Sequence, residues 1–561
     1  MASKLLFLVT LTILIALPFF AYPASSAKDV PPTAPVPSRT ICEYTPNPSY
    51  CTSALPNQTA DVYAYGRFSI RKALWQSRKF LSLVDNYLKL PSALSITAIR
   101  ALEDCRLLTS LSIDYLSSTY QTVNTTSKIL STMEADDLQT VLSAVLTNKQ
   151  TCLDGLQATG LAWNIKNDLS VPLSDDSKLC SVSLALFKKG WVGKKKRKTT
   201  WRLTRAQRLF RHGRLPLKMS NRTREIYERA RGRKQQSDQG GVLVSNIVTV
   251  SKDGRGNFTT ITDAVNAAPN NTDAANGYFL IYVTAGVYEE YISIPKNKKN
   301  LMMLGAGINR TIITGNRSVA DGWTTFNSAT FAVVAPNFVA VDITFRNTAG
   351  AIKHQAVALR SGADLSTFYR CSFEGYQDTL YPHSLRQFYR ECDIYGTIDF
   401  IFGNAAVVLQ NCNIYARLPM SGQFNVITAQ GRTDPNQNTG ISIHNCTVRA
   451  ADELASSNQT VQTYLGRPWK EYSRTVYMQS FLDGLLNPSG WSIWSGDFAL
   501  STLYYAEYGN TGPGSDTTNR VTWPGYHVIN ATDACNFTLS NFLLGDDWLP
   551  KTRVPYTAGL I

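Results

Sequence analysis

Hydrophobic positions follow two different periodicities along the chain. From about residue 41 to residue 187, apolar residues recur every three or four positions, as in Leu138, Val141, Leu142 and Val145. This spacing places them on one face of an α-helix. Several amphipathic helices joined by short polar turns bury such faces in an up-and-down bundle. The first part of the chain is therefore predicted to be a helical bundle over residues 41–187.

From residue 247 to residue 561 the chain consists of short runs of Val, Ile, Phe and Tyr, broken by Gly, Asn and Asp, which predict short strands. One four-residue motif recurs there with spacings of 28, 21, 20 and 34 residues. Its copies are Asp342-Ile343-Thr344-Phe345, Arg370-Cys371-Ser372-Phe373, Glu391-Cys392-Asp393-Ile394, Asn411-Cys412-Asn413-Ile414 and Asn445-Cys446-Thr447-Val448. Such irregular repeats of short strands favour a right-handed parallel β-helix, whose turns tolerate insertions. The predicted fold class is an α plus all-β two-domain chain, in which a helical bundle precedes this β-helix.

The second residue of each repeat is expected to point inward and to stack on its counterparts. Parallel strands lie about 4.8 Å apart, which is within the Cα separation that a disulfide accepts. A disulfide between Cys371 and Cys392 is therefore compatible with the spacing. A column of buried thiols is the alternative that the spacing leaves open.

Two carboxylates share one position in this register. Asp378 follows Cys371 by seven residues, and Asp399 follows Cys392 by seven. If the coils stack, the two aspartates lie one coil apart, and their mutual repulsion raises the pKa of one of them. One can then act as a nucleophile or base while the other donates a proton. The alternative is that both are turn or capping residues, but aromatic neighbours such as Phe402 favour a carbohydrate-binding groove.

Positive charge is concentrated between the two parts of the chain. The 561 residues carry a formal charge of +15, and the stretch 188–234 alone contains 19 basic and 2 acidic residues. The two larger parts are nearly neutral, which argues against a nucleic-acid-binding protein. Runs of like charge repel each other and stay accessible to proteases. We therefore predict a basic linker over residues 188–240, either with processing sites or as a solvated tether with no further role.

The N-terminus has the features of a secretory signal peptide. Lys4 precedes an apolar run from Leu5 to Phe20, and small residues follow up to Ala27. This pattern predicts a signal peptide over residues 1–27, with an uncleaved anchor as the alternative. Secretion would allow disulfides and glycosylation at eleven Asn-x-Ser/Thr sites, and would leave no membrane segment in the mature protein.

The cysteine pattern of the predicted bundle resembles that of the plant pectin methylesterase-inhibitor domain. Its five cysteines are Cys42, Cys51, Cys105, Cys152 and Cys180. The resemblance implies that Cys42 pairs with Cys51, that Cys105 pairs with Cys152, and that Cys180 stays free.

The second part resembles the catalytic domain of plant pectin methylesterases. Five segments carry the resemblance: Gly286-Val287-Tyr288-Glu289-Glu290, His354-Gln355-Ala356-Val357-Ala358-Leu359, Gly375-Tyr376-Gln377-Asp378-Thr379-Leu380, Gly396-Thr397-Ile398-Asp399-Phe400-Ile401-Phe402-Gly403-Asn404 and Leu465-Gly466-Arg467-Pro468-Trp469. The resemblance implies a secreted cell-wall enzyme that hydrolyses the methyl esters of homogalacturonan (pectin) to carboxylate and methanol. Its expected partners are methyl-esterified pectin, its own pro-region, free inhibitor proteins and a processing protease.

The resemblance also implies residue roles. Asp399 would be the nucleophile, Asp378 the general acid and later base, and Arg467 would orient Asp399. Gln355 and Gln377 would donate hydrogen bonds to the oxyanion. The residues expected to contact substrate are Thr325, Trp469, Tyr381, Phe402 and Trp494, of which the last three could equally be core residues.

Other chemistries have less support in the sequence. It contains no Gly-x-Ser-x-Gly elbow, no Cys-x-x-Cys pair and no glycine-rich phosphate loop, so neither a metal nor another cofactor is expected. The linker departs from the family, because Arg211-His212-Gly213-Arg214-Leu215-Pro216 and Arg231-Gly232-Arg233-Lys234-Gln235-Gln236 only approximate the usual dibasic site followed by paired leucines. Two alternatives to the esterase are a β-helical glycosidase with the two aspartates as acid and base, and a non-catalytic inhibitor or wall-binding protein.

Overall fold

The computed structural model of the chain describes residues 30–90, 94–161, 163–193, 215–231 and 241–561. The N-terminal helices are α1 (Ser38–Cys42), α2 (Pro48–Ala54), α3 (Val62–Leu88), α4 (Ile96–Thr125), α5 (Thr132–Ala158) and α6 (Trp163–Trp191). Helix α3 packs against α4 and α6, and α5 packs against the same two helices, which closes a four-helix bundle. A short antiparallel pair, Val36–Pro37 with Thr59–Ala60, precedes it. The predicted helical bundle is confirmed.

Side-chain caps and one aromatic contact fix the ends of the bundle helices. Helix α3 begins where the Asp61 carboxylate accepts a hydrogen bond from the Ala64 amide at 2.7 Å, which satisfies an otherwise unpaired donor. Helix α6 continues past the predicted boundary because Trp191 is fully buried, with its ring 5.0 Å from that of Tyr63. Gly66 makes this packing feasible, since a Cβ there would lie 2.7 Å from the Trp191 ring.

The two disulfides implied by the inhibitor-domain resemblance are present. Cys42–Cys51 joins α1 to α2, and Cys105–Cys152 joins α4 to α5. Cys180 on α6 is a buried thiol.

The second part of the chain forms three sheets in which every paired strand is parallel. Sheet 1 consists of Ile292–Ile294, Phe331–Val333, Leu359–Ser361, Leu380–Pro382, Ile401–Gly403, Asn425–Gln430 and Thr463–Gly466. Sheet 2 consists of Leu217–Lys218, Val242–Val250, Tyr278–Val283, Leu301–Leu304, Val339–Val341, Ser366–Tyr369, Arg386–Arg390, Ala406–Gln410, Gly440–His444, Arg474–Met478, Tyr504–Tyr508 and Tyr526–Val528. Sheet 3 consists of Gly286–Glu289, Thr311–Gly315, Thr344–Asn347, Ser372–Glu374, Asp393–Gly396, Asn413–Ala416, Thr447–Ala450 and Phe481–Leu482. The chain visits sheets 1, 2 and 3 in turn and then returns to sheet 1, so the predicted right-handed parallel β-helix is confirmed.

Short helices border the coils. The α-helices of this part are Asn221–Arg231, Ile261–Ala267, Asp452–Ala455, Ala531–Ala534, Leu539–Phe542 and Gly545–Thr552. Single 3₁₀ turns lie at Ala274–Asn276, Val319–Asp321, Phe326–Ser328, Ala351–Lys353, Pro513–Ser515 and Cys535–Phe537.

The sequence repeat marks one corner of each coil, between sheets 2 and 3. The first residue of every copy has a left-handed backbone, with φ between 51° and 58°. These residues are Asp342, Arg370, Glu391, Asn411 and Asn445. The next residue, Ile343 or a cysteine, points into the hydrophobic core, which explains why the motif could be found by alignment alone.

The predicted Cys371–Cys392 disulfide is wrong, because both residues are buried thiols. The strands that follow them pair in register, which places the two thiols side by side in the core without joining them. Each thiol instead contacts a backbone carbonyl, Cys371 Sγ at 3.6 Å from Ala340 O and Cys392 Sγ at 3.4 Å from Phe368 O. The alternative of a thiol column describes this part of the core.

The described part of the predicted linker is folded. Leu217–Lys218 pairs with the start of the strand Val242–Val250, and the helix Asn221–Arg231 places Tyr227 5.5 Å from the Tyr282 ring. The β-helix therefore begins before residue 247, because apolar side chains in the linker cover its end. Residues 194–214 and 232–240, with most of the predicted processing sites, lie outside the described residues, as does the predicted signal peptide over residues 1–27. In the ranges described, no helix has the length and apolar character needed to cross a membrane.

Candidate active site

Two aspartates hold equivalent corners of neighbouring coils. Asp378 precedes the strand Leu380–Pro382 and Asp399 precedes Ile401–Gly403, and these strands are adjacent in sheet 1. Both residues have left-handed backbones, with φ of 62° and 52°. This conformation costs an ordinary L-residue about 1 kcal/mol, and aspartate tolerates it better than most. Both carboxylates line one cleft on the outside of the β-helix.

The surroundings of the two carboxylates differ. Arg467 binds Asp399 in a bidentate manner, with Nε 2.8 Å from Oδ1 and Nη2 2.6 Å from Oδ2. Burial raises the pKa of Asp399, but this ion pair opposes the shift. Burial also raises the pKa of Asp378, to well above its ordinary value, and the Asp399 charge adds to the effect. The geometry therefore favours an ionised Asp399 beside a protonated Asp378.

Two amide side chains line the same cleft. Gln355 and Gln377 lie on loops of successive coils, and the Ala356 amide joins these loops by donating to the Gln377 carbonyl at 3.2 Å. The structure thus brings both predicted hydrogen-bond donors beside the carboxylate pair. Their roles remain predictions.

Aromatic side chains form much of the cleft, whose volume is about 460 Å³. The Tyr381 and Phe402 rings stack with their centroids 4.1 Å apart, and Trp469 meets Phe402 edge to face at 6.0 Å. Trp494 lies 4.5 Å from the Arg467 guanidinium, and Thr325 also lines the cleft. Tyr381 and Phe402 are each only 3% exposed, because the bundle covers them.

Helices α4 and α5 supply the opposite wall of the cleft. Their lining residues are Thr97, Asp104, Thr151, Asp154, Gly155, Ala158 and Thr159. Asp104 accepts hydrogen bonds from Thr324 Oγ1, at 2.5 Å, and from Asn327. Asp154 forms an ion pair with Lys470 at 2.9 Å. The bundle therefore lies directly over the two aspartates.

A second group of charges, outside the cleft, attaches the bundle to the β-helix. Arg386, on sheet 2, is almost fully buried between three carboxylates. Its guanidinium lies 2.7 Å from Asp364 of the β-helix, and 2.7 Å and 3.4 Å from Asp137 and Asp136 of α5. Nearby, Ser181 of α6 donates to Asp434 at 2.5 Å. No motif in the sequence pointed to the contacts of Asp136, Asp137 and Ser181 with the β-helix, because each joins residues more than 200 positions apart.

Two of the histidines are poorly suited to proton transfer. Burial lowers the pKa of His383 to about 3 and that of His444 to about 4, so both are neutral near pH 7. His383 Nε2 lies 3.0 Å from Thr151 Oγ1, at the interface with the bundle. Across the ranges that the structure describes, no group of three or more His, Cys, Asp or Glu residues could hold a metal ion.

Both parts of the chain match known protein families. A Pectinesterase family model matches residues 247–546, and a Plant invertase/pectin methylesterase inhibitor model matches residues 38–186. Among curated sequences, the chain is 64% identical to the probable pectinesterase/pectinesterase inhibitor 7 of Arabidopsis thaliana, over 93% of this chain and 95% of that protein. It is 61% identical to the probable pectinesterase/pectinesterase inhibitor 20 of the same plant, over the whole of both chains.

Among solved structures, a pectin methylesterase from carrot matches with 55% sequence identity and a TM-score of 0.55. The match covers 58% of this chain and 100% of the carrot protein. The chain therefore belongs to the pectinesterase family and carries, in front of its β-helix, a domain of the plant invertase/pectin methylesterase inhibitor family.

Proposed function

We propose that this chain hydrolyses the methyl esters of homogalacturonan, releasing methanol and leaving free carboxylates on the polymer. The observation that carries the proposal is the asymmetric pair of Asp399, held by Arg467, and Asp378, whose burial favours the protonated form. An ionised carboxylate is the nucleophile, and a protonated one is the acid, that ester cleavage requires.

In the first half of the reaction, an Asp399 oxygen attacks the ester carbonyl carbon. The carbonyl electron pair moves onto oxygen, where the Gln355 and Gln377 amides donate hydrogen bonds. When this tetrahedral species collapses, the bond to the methoxy oxygen breaks and Asp378 gives that oxygen its proton. Methanol leaves, and the galacturonyl group stays on Asp399 as an anhydride.

The second half returns the enzyme to its starting state. Asp378, now a carboxylate, takes a proton from water as the water oxygen attacks the galacturonyl carbon. Collapse of the second tetrahedral species breaks the bond to Asp399 and frees the galacturonic acid, which loses its proton to solvent. Asp378 is again protonated and Asp399 again ionised.

The test uses the full chain with a specific protease site placed within residues 194–214 and then cut. On methylated pectin we expect methanol to accumulate without new reducing ends. New reducing ends would instead support a glycosidase, and loss of both products would support a non-catalytic protein.

The bundle is proposed to act as an inhibitor until the linker is cut. Helices α4 and α5 wall the cleft, so a polymer cannot lie across the two aspartates while the bundle is in place. A tethered inhibitor acts at an effective concentration of about 1 mM for short linkers, and cutting lets dilution release it. A free inhibitor of the same family could occupy the same surface in trans.

The proposed route is secretion to the cell wall, guided by residues 1–27, with proteolysis in the basic linker. Cut and uncut protein should be compared at nanomolar concentration on methylated pectin. A clear gain on cutting is expected, whereas equal activities would favour a bundle that only assists folding or secretion. Alanine at positions 211, 214, 231, 233 and 234 should leave uncut precursor in secreting cells, and normal maturation of that variant would place processing elsewhere.

A further inference from the structure

Four side chains form a stack at the edge of the catalytic cleft. The Arg317 guanidinium carbon lies 3.7 Å from the centroid of the Tyr291 ring and 3.7 Å from that of Trp323. Arg100, from helix α4 of the bundle, lies 3.6 Å from the same Trp323 centroid. Two guanidinium groups cannot share one ring face at that distance, so Arg100 and Arg317 lie on opposite faces of Trp323.

Arg317 has no anionic partner. In the part of the chain that the structure describes, no carboxylate lies within ion-pairing distance of its guanidinium. Burial lowers the pKa of Arg317, Tyr291 opposes the shift, and the charge of Arg100 adds to it. The acidic residue of this region, Asp321, is already paired with Lys353 at 2.5 Å. A partly buried cation without a carboxylate is costly unless a ligand supplies one. Arg317, which lines an open cleft, is therefore available to bind an anion there.

Trp323 connects this stack to the active site. It lines the catalytic cleft and also an adjoining cleft of about 500 Å³, which we call the Arg317 cleft. The Arg317 cleft is lined by Tyr291, Asn316, Arg317, Asp321, Trp323, Thr348, Ala349 and Lys353. A polymer that fills the catalytic cleft can thus extend past Trp323 into it once the bundle, with Arg100, has left.

We propose that the Arg317 cleft is a subsite for a galacturonate unit with a free carboxylate, distant from the ester being hydrolysed, and that Arg317 recognises this carboxylate. When the bundle leaves, the face of Trp323 that Arg100 covers becomes free for a sugar ring to pack on, and the neighbouring Arg317 guanidinium supplies the charge complementarity. This subsite makes the enzyme favour esters on chains that already carry free acids. In the uncut chain, Arg100 covers Trp323 and closes the passage between the two clefts. The proposal rests on the proposed ester hydrolysis for its role in catalysis, but not for binding.

The test compares the cut protein with its Arg317→Gln variant in two assays. In the first, titration calorimetry measures the binding of fully de-esterified hexagalacturonate, and Arg317→Gln should weaken it about fivefold. In the second, kcat/KM for methanol release is measured on a fully methylated hexagalacturonate and on one with a single ester among free acids. The preference for the substrate with free acids is the ratio of its kcat/KM to that of the fully methylated one. This ratio should fall about fivefold in the variant.

Two further variants separate the contribution of the Arg317 charge from that of packing against Trp323 and from an unspecific loss of positive charge. Arg255→Gln removes the same charge from an exposed loop site and should leave the binding constant and the ratio unchanged. Trp323→Ala should lower kcat/KM on both hexasaccharides, because packing against the sugar does not depend on its charge. Unchanged binding and an unchanged ratio in Arg317→Gln would overturn the subsite even if the enzyme is active. If Arg317→Gln binds hexagalacturonate more weakly than the wild type, but neither the wild type nor any variant releases methanol, the subsite is supported and the proposed esterase is refuted.

Discussion

The two aspartates show how identical residues acquire different roles. Asp378 and Asp399 have the same backbone conformation and similar burial, and they differ in contact with Arg467. The bidentate pair stabilises negative charge on Asp399 alone. The stacking register that placed both residues together could be derived from sequence, but their different surroundings depend on a side chain from a coil about 70 residues further on.

Replacing the two aspartates tests the assigned roles. Asp399→Asn should abolish methanol release by the cut protein, because an amide is a poor nucleophile. Asp378→Asn should lower kcat by about 10²- to 10⁴-fold, since methoxide must then leave without a proton. Circular dichroism and binding of pectin serve as controls for folding. Retention of more than a few per cent of the activity by either folded variant would contradict its role.

Removing the charge of Arg467 should change the pH profile as well as the rate. Arg467 holds the pKa of Asp399 down against the effect of burial, so Arg467→Gln lets that pKa rise. Because the nucleophile is the ionised form, the acid limb of kcat/KM should move to higher pH, and activity on the plateau should fall at least about tenfold. Arg467→Lys keeps the charge and should shift the limb less. A variant that loses activity without a shift of the limb would indicate a purely steric role.

At the scale of the elements, the repeat predicted the coils well because its first residue occupies a left-handed corner and its second points inward. Spacing alone could not settle the cysteine chemistry. A separation of about 4.8 Å between strands gives the distance between two Cα atoms but not the direction of their side chains. In the structure, the ladder of cysteines keeps its thiols.

Reducing agents should therefore affect the two parts of the chain differently. Reduction of Cys105–Cys152, which closes a 47-residue separation between α4 and α5, should destabilise the bundle by about 2–4 kcal/mol. The β-helix should unfold at the same urea concentration with or without dithiothreitol, because its buried core cysteines form no disulfide. Proteolysis in the linker followed by separate unfolding of the two parts provides the measurement. A shift in the β-helix midpoint on reduction would contradict the thiol column.

At the scale of the whole molecule, the sequence predicted both domains but not how they meet. One apolar cluster contains Leu102 and Leu156 of the bundle together with Phe326, Tyr381 and Phe402 of the β-helix. Residues expected to face the substrate are thus also buried contacts of the inhibitor domain. Each domain has an ordinary amphipathic pattern, and nothing in either pattern indicates which of its surfaces packs against the other domain. The ion pairs and hydrogen bonds between the two domains form only when these surfaces meet, so the sequence could not predict them either.

Asp104 makes this docking dependent on pH. It is buried at the interface, where it accepts hydrogen bonds from Thr324 and Asn327. Burial raises its pKa from 3.8 to about 7, while Arg360 nearby acts in the opposite direction. When the bundle leaves, the carboxylate returns to water and to its ordinary pKa. Between about pH 4 and pH 7 the docked form therefore holds a proton that the separated form has lost.

Association of the cut bundle should accordingly weaken as the pH rises from 4 to 7, by at most about tenfold per pH unit, and stay constant above pH 7. The measurement is the ratio of specific activity at micromolar and nanomolar concentrations of cut protein, which cancels the pH dependence of catalysis. Asp104→Asn can keep both hydrogen bonds without titrating, so it should reduce this pH dependence, whereas Glu43→Gln, at the exposed end of α1, should not. If Asp104→Asn followed the wild-type curve, other buried interface carboxylates, such as Asp434, would have to account for the effect, and the role given to Asp104 would be wrong.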